Sequence, residues 1–445
     1  MKLINSKGFS EETINHISEA KKEPKWMKEL RFSCLERYKE NPLPDSNEES
    51  WRRTSFHSLN FDEIQTAYNN QFPGTITNSR IDNENYLAYK DSSITHNTLS
   101  KDLEEKGVIF TDMDTALIKH PDLIKEYFMS YCVKPDLNAF TMMHAAFWNG
   151  GAFLYVPRGV EIEVPIKCLY GSNKNGLGLF YHTLIVLEES SRAYFLEESS
   201  STREAQSKPE EAIQSFNCPV VEIYLKENSS LNYLAVQDFG HNVYSAISKS
   251  VILKNNSSIK WTECTVGGRV TKSHLESTLV GQGASTNMLG ISFVDGNHHL
   301  DASTFVHHKV PHTSGNILFK GVVNDNGASI FQGMIQIDHD AQHTDSFMGN
   351  HNLLLSDNAK ADSIPKLEIK ADEVRATHGV TVGQVDKEQL FYLMSRGINE
   401  EDAKEMIVDG FLESIVGMAD QTTEQESLRY FIKKKREENA RDGNL

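Results

Sequence analysis

Cysteine is scarce in this chain, and what there is lies scattered. Five thiols (Cys34, Cys132, Cys168, Cys218 and Cys264) are spread over 445 residues without a C-x-x-C pair. That spacing argues against a disulfide framework and fits a reducing compartment. Cations are also in deficit: 45 Lys and Arg face 62 Asp and Glu, for a net charge of −17. With no excess of cations to displace counterions, nucleic acid is not an expected partner. The basic run Lys433–Arg436 is followed at once by Glu437 and Glu438, so it reads as a solvated helix face. Long apolar runs are missing as well. The longest uncharged stretch, 139–157, carries His144, Asn149, Gly150 and Gly151 and closes on Pro157, which suits a buried helix running into a strand better than a membrane span. The opening Met1-Lys2-Leu3-Ile4-Asn5-Ser6 lacks the apolar core of a signal peptide. A cytoplasmic protein is expected.

What the chain does have is a returning phrase. Two turn residues and a small residue lead into an alternating run at Asn228-Ser229-Ser230-Leu231 and Asn256-Ser257-Ser258-Ile259. The phrase recurs at Gly283-Ala284-Ser285, Gly327-Ala328-Ser329 and Asn358-Ala359-Lys360. Counted on positions 230, 258, 285, 329 and 360, the steps are 28, 27, 44 and 31. A period of this size, carried by strands, predicts stacked coils that cover one another's apolar faces. Small residues suit the tight corners between them. The step of 44 reads as an insertion or a double coil. An antiparallel sandwich with Asn, Ser and Gly turns is the rival reading.

Helical periodicity flanks this region. A helix starts near Ser10 and a second follows Pro24, with Trp26, Leu30, Cys34, Leu35 and Tyr38 on one face. Segments 117–132 and 137–148 also read as helices, and short strands are expected within 55–110. Residues 1–149 therefore form a mainly helical N-terminal unit, 150–386 the strand core, and 387–445 a C-terminal helical unit. Within the core, the Ser- and Glu-rich segment 197–215 reads as an exposed loop. In the C-terminal unit Asn399 caps a helix over 400–416, with Ala403, Met406, Ile407 and Phe411 as its apolar strip. That strip suits either a partner or the protein's own core.

Ten of the seventeen histidines lie between His274 and His378, which raises a metal hypothesis. Neighbours on a strand face opposite ways, however, so His298/His299 and His307/His308 cannot each chelate as a pair. His339-Asp340-Ala341-Gln342-His343 resembles H-E-x-x-H but has Asp for Glu and follows an alternating run where a helix is required. Gly267-Gly268-Arg269-Val270-Thr271-Lys272-Ser273 lacks the glycine that precedes the P-loop lysine, and Gly176 and Gly178 are followed by Tyr181 where a third glycine is needed. No nucleotide site is expected. His378, beside Gly379 where the strand region ends, is the remaining candidate ligand.

Several spaced motifs, in order, resemble the SufB/SufD family of iron–sulfur cluster assembly proteins. They are Glu23-Pro24-Lys25-Trp26, Trp51-Arg52-Arg53-Thr54, the stretch 151–160, Lys320-Gly321-Val322-Val323 and Phe331-Gln332-Gly333. Asn352-Leu353-Leu354-Leu355-Ser356, His378-Gly379-Val380-Thr381-Val382-Gly383 and Phe391-Tyr392-Leu393-Met394-Ser395-Arg396-Gly397 complete the set. Gly379, where SufB-type members have Glu, places the chain on the SufD side of the family.

The resemblance implies a right-handed parallel β-helix flanked by helical domains, acting as a non-catalytic scaffold. It implies pairing with SufB through the β-helix and with the ATPase SufC through the C-terminal helices. A transient iron–sulfur cluster, shared with SufB, would be built and passed to apo-protein acceptors, and homodimerisation without SufB is possible. The family's cluster-building histidine maps to His378. Ala376 stands where some SufD members have a cysteine, and no cysteine follows Cys264. Because thiolates are the usual cluster ligands, most ligands should come from SufB. Cys264 reads as a sulfur-relay thiol or, more simply, a buried structural cysteine. Two rivals are a β-helix carbohydrate lyase, disfavoured by the lack of an acidic ladder, and a His-rich metal-binding protein, disfavoured because the histidines are out of repeat register.

Overall fold

The structure, a computed structural model, describes residues 9–40, 43–44, 47–66, 85–201, 213–419 and 422–441. From Gly150 onward the chain winds into a parallel β-solenoid of about eight turns. One sheet (sheet 1) takes Gly150–Val156, Tyr181–Leu187, Val220–Leu225, Val243–Leu253, Val270–Leu279, His299–His308, Ala328–Ile337 and Lys360–Ile369. The other (sheet 2) takes Ile166–Ser172, Arg192–Ser201, Ser230–Asp238, Ser258–Thr265, Ser285–Val294, Ser314–Val323, Asp345–Leu354 and Arg375–Gln384. Both sheets turn their apolar sides inward. The expected parallel β-helix with helices at both ends of the chain is present.

The repeated phrase turns out to be a corner. Ser190, Asn228, Asn256, Gly283, His312 and His343 all adopt positive φ, which Gly and Asn tolerate best. They form a ladder: the N–H of Asn228 donates to Asn255 O, Asn256 to Gln282 O, Gly283 to His312 O, and His312 to Gln342 O. A Cβ on Gly283 would come within 2.2 Å of Asn256 Oδ1. The step of 44 is neither an insertion nor a double coil. Ser285 is in register with Ser314 on sheet 2, whereas Ser329 lies on sheet 1 and pairs with Leu300 and Ala361. The phrase marks corners of both sheets, and counting through it crossed from one to the other.

The segment read as a loop from Glu197 is in part a strand. Arg192–Ser201 runs through Glu197–Ser201, and Ser215–Asn217 is a further strand; residues 202–212 lie outside the described residues. Glu197 misled because it points inward. Thr183 Oγ1 donates to its Oε2 at 3.0 Å, and Lys249 Nζ stands 3.8 Å from its Oε1.

The two ends of the solenoid differ. At the N-terminal end Ile109–Asp112 pairs antiparallel with Gly150–Val156. On sheet 2 Tyr86–Lys90 pairs with Ile166–Ser172 and is itself covered by Ser93–Thr98. These strands close the first coil. Helices α1 (Glu11–Lys21), α2 (Lys25–Glu40), α3 (Lys101–Glu105), α4 (Met113–Lys119), α5 (Pro121–Tyr127) and α6 (Ala139–Phe147) accompany them. A buried Arg31 fixes α2, pairing with Glu23 at 2.6 Å and donating to Ala146 O and Trp148 O. At the C-terminal end the last strands, Lys360–Ile369 and Arg375–Gln384, each have a neighbour on one side only among the described residues.

Helices α7 (Lys387–Ser395), α8 (Glu400–Val416) and α9 (Thr422–Arg441) follow. Val408, Leu412, Ile415 and Val416 of α8 and Leu428, Phe431 and Ile432 of α9 pack on the outer face of sheet 2, against Leu234, Val236, Leu289, Ile291 and Phe293. The basic run does not simply face solvent. Lys434 pairs with Asp238, Lys435 with Asp295 at 3.1 Å, and Arg436 with Asp409 and with Glu405 at 3.1 Å. Lys435 and Asp295 are both buried. Removing one partner of such a pair strands the other charge, at about 3 kcal/mol. Lys435→Ala should therefore lower unfolding free energy by about that much, and Lys435→Met with Asp295→Leu should recover most of it, as read by urea denaturation.

Candidate functional site

Register places His378 at the end of an interior column. Phe195, Tyr233, Trp261, Met288, Ile317 and Met348 stack in successive coils of sheet 2, and His378 pairs with Met348. The first six are at most 1% exposed. His378 occupies the same inward position but is exposed, because no coil covers it. A polar ring thus stands at the mouth of an otherwise apolar stack. Around it Val380, Val382 and Ile369 are 38%, 43% and 41% exposed. These belong to the same inward set on the last two strands.

On the outer face of sheet 2 His351 Nδ1 lies 2.6 Å from Thr381 Oγ1. Burial, with the nearby Lys320 ammonium, lowers the His351 pKa. Deeper inside, Lys249 Nζ donates to both carboxylate oxygens of Glu263 at 3.0 and 3.1 Å. Burial raises the Glu263 pKa against the pull of Lys249. Lys249 also lies 3.8 Å from Glu197, so one cation serves two carboxylates in a buried polar site several coils from the mouth.

The other nine histidines of the rich segment are dispersed. His307 points out to Asp338 at 3.0 Å, whereas His308 points in between Thr313 and Ser346, as the alternation required. His312 and His343 are corner residues whose rings stack at 4.8 Å. His339 and His343 lie in turns, not on a helix, so the H-E-x-x-H likeness carries no site. His298 is buried and His299 meets Thr54 at 3.0 Å. His274 faces Glu276 at 3.5 Å. Among the described residues no group of three or more His, Cys, Asp or Glu side chains is arranged to hold a metal ion.

The four residues expected as the apolar strip of α8 differ in burial. Ala403 is fully buried, Met406 is 52% exposed, and Ile407 and Phe411 are intermediate. Phe411 lies under Lys320, whose Nζ donates to Phe411 O at 2.9 Å and sits 4.5 Å from the ring centre. The buried stripe is Ala403, Val408, Leu412, Ile415 and Val416. The larger exposed apolar surface lies on α7, which buries no residue: Phe391 is 73%, Tyr392 56% and Met394 42% exposed. Nothing in the sequence reveals that α7 packs so little. The mouth residues Val380, Val382 and Ile369 were missed too, although counting strand parity forward from His378 marks the first two.

All five cysteines are free, and four are buried. Cys264 lies between sheet 2 and the C-terminal helices, where burial, reinforced by Asp238 and Glu263, pushes its thiol up to about 12. It is therefore a packed side chain with almost no thiolate at neutral pH. Iodoacetamide at pH 7.5 should modify Cys264 at least about a hundredfold more slowly in the native chain than in urea, as followed by mass spectrometry of the peptide. Equal rates would mean the helices do not cover it.

Residues 170–411 match the family described as SUF system FeS cluster assembly, SufBD core domain, and residues 11–168 match the SufBD protein N-terminal region. The chain is 31% identical over 422 residues to an iron-sulfur cluster assembly SufBD family protein of Staphylococcus haemolyticus, covering 92% of this chain and 89% of that protein. It is 30% identical over the same length to a SufBD family protein of Staphylococcus aureus, with the same coverage. The two matches meet within Ile166–Ser172, in the first coil of the solenoid, and the core-domain match takes in its open end and His378. The chain belongs to the SufBD family of iron–sulfur cluster assembly proteins.

Proposed function

We propose that this chain is a SufD-type, non-catalytic scaffold subunit of the SUF machinery, working in the cytoplasm. The observation that carries this reading is the contrast between the ends of the solenoid: strands cap the first coil, and the last coil is open with His378 at its mouth. An open parallel coil leaves backbone donors and acceptors unpaired beside exposed apolar side chains, which favours a protein partner there. SufB is that partner in this reading, and the iron–sulfur cluster is cargo assembled at the junction, with His378 as this chain's ligand.

Helices α7 and α8 form the second surface and take the ATPase SufC. Phe391, Tyr392 and Met394 extend the expected strip, of which Met406 is the most exposed member and Ala403 serves the chain's own core. With no nucleotide motif in the chain, ATP chemistry belongs to SufC. SufB supplies the remaining cluster ligands, because every cysteine of this chain lies upstream of the open coil. Apo-proteins accept the finished cluster.

His378→Ala tests the site. An exposed side chain without a packing role should cost less than about 0.5 kcal/mol of stability. The variant should bind SufC as the wild type does, and the reconstituted SufB–SufC complex should form cluster at least about tenfold more slowly, read by absorbance at 420 nm. Wild-type cluster formation by the folded variant would remove His378 from the account.

A further inference from the structure

Away from the mouth, three ionisable side chains meet where the N-terminal helices cover the outer face of sheet 1. His144 lies on α6, His182 on the strand Tyr181–Leu187 and Glu222 on the strand Val220–Leu225, and all three are fully buried. They form a line of contacts. His144 Nδ1 lies 2.7 Å from Cys218 O, His144 Nε2 lies 3.0 Å from His182 Nδ1, and His182 Nε2 lies 3.1 Å from Glu222 Oε2. Glu222 also holds the turn after α5: the N–H of Met129 donates to Oε2 at 2.6 Å, and that of Val133 to Oε1 at 3.1 Å. Met129 sits there at a positive φ of 48°, and the ring of Phe128 stacks on His182 at 4.2 Å.

The end of the line fixes its direction. A carbonyl oxygen only accepts, so His144 must carry its hydrogen on Nδ1. As a neutral ring it then presents a bare Nε2, which requires the hydrogen of His182 to be on Nδ1. His182 Nε2 is bare in turn and meets Glu222 Oε2 with no hydrogen between them. Three contacts need three hydrogens, and two neutral rings bring two. The third is a proton held between Glu222 and His182. Glutamine cannot imitate it: an amide nitrogen at the Oε2 position would face the Met129 N–H, and an amide oxygen there would face His182 Nε2. The surroundings agree with the count. Burial raises the Glu222 carboxyl to about 8, against the pull of its backbone donors, and lowers both histidines. Around Glu222, Tyr224 OH stands 3.4 Å from Oε1, Cys132 donates its thiol to Ile223 O, and Ser250 lies opposite on the next strand. One coil further, Glu276 faces His274. Arg31 of α2, which lowers His144 further, is paired with Glu23.

We infer that the Glu222–His182–His144 line holds one proton at neutral pH and acts as a proton-dependent clasp, fastening α6 and the turn after α5 to the second and third coils of the solenoid. When the proton leaves, one of the three contacts sets acceptor against acceptor, whichever tautomers the rings adopt, and the elements part more readily. The direction with pH follows from linkage. A carboxyl whose folded pKa lies above its unfolded value favours the closed clasp at low pH and loses that contribution as pH rises through the folded value. Opening also frees the two histidines, which take up protons only toward and below their ordinary range. Above about pH 7 the proton released by Glu222 dominates, so the clasp is tightest near about pH 7 and looser toward about pH 9. It lies several coils from His378, and its chemistry is independent of the partner bound at the mouth.

Amide hydrogen exchange of the whole chain across this pH range is the test. After correction for the intrinsic rate, the protection of the Met129 and Val133 amides should fall at least about threefold between about pH 7 and about pH 9. Protection that stays level or rises over that range means that no extra proton is held, and overturns the inference. Folded Glu222→Gln should start from lower protection and lose the fall with pH. A fall equal to that of the wild type would place the titrating group elsewhere and overturn the inference as well. A second readout needs no variant. Nitrogen NMR of isotope-labelled histidine rings at about pH 7 should find a hydrogen on Nδ1 of both His144 and His182. A bare Nδ1 on either ring contradicts the line of contacts, whatever the exchange rates show.

Discussion

Between its two ends, each coil of the solenoid hydrogen-bonds its backbone to the coils on either side, and the rest of the structure follows from that requirement. A buried peptide group without a partner costs more than most side-chain contacts return. Within the stack the debt is settled by register, residue against residue, through the last two strands. At the first coil it is settled by antiparallel strands from the N-terminal segment. At the last coil it is left open, on the same two strands whose inward side chains lack a cover. The backbone and the core therefore run out at the same place, and there the interior column ends in His378.

The charged groups divide between holding the stack in place and lying outside it. Inside, Lys249 of sheet 1 lies within 4 Å of both Glu197 and Glu263 of sheet 2, so the buried charges tie the two sheets together. Outside, Lys434 and Lys435 seat α9 on the solenoid at Asp238 and Asp295. Apolar burial between sheet 2 and α8 and α9 supplies attraction without direction; the ion pairs add position. Helix α7 buries no residue and keeps its aromatic side chains exposed.

Much of this was legible in the sequence because corners repeat. Positive-φ residues must recur once per coil, and Asn228, Asn256 and Gly283 displayed that requirement openly. His312 and His343 fill the same corner without looking like turn residues, which is why the repeat seemed to skip. Partners distant in the chain were invisible: nothing near Lys435 announces Asp295, and nothing near Glu197 announces Lys249. Helix α8 misled for a related reason. It carries apolar residues beyond its inner stripe, and periodicity does not say which of them the sheet takes. His378 was found by likeness to a family, and its place at the end of an apolar column became visible only through strand pairing.

The central claim is that the open coil and the C-terminal helices are assembly surfaces. It is tested most directly by size-exclusion chromatography with mass detection on this chain coexpressed with SufB and SufC. The account predicts one species containing all three chains at micromolar concentration. A lone monomer or homodimer, with SufB and SufC eluting together without it, would contradict the account.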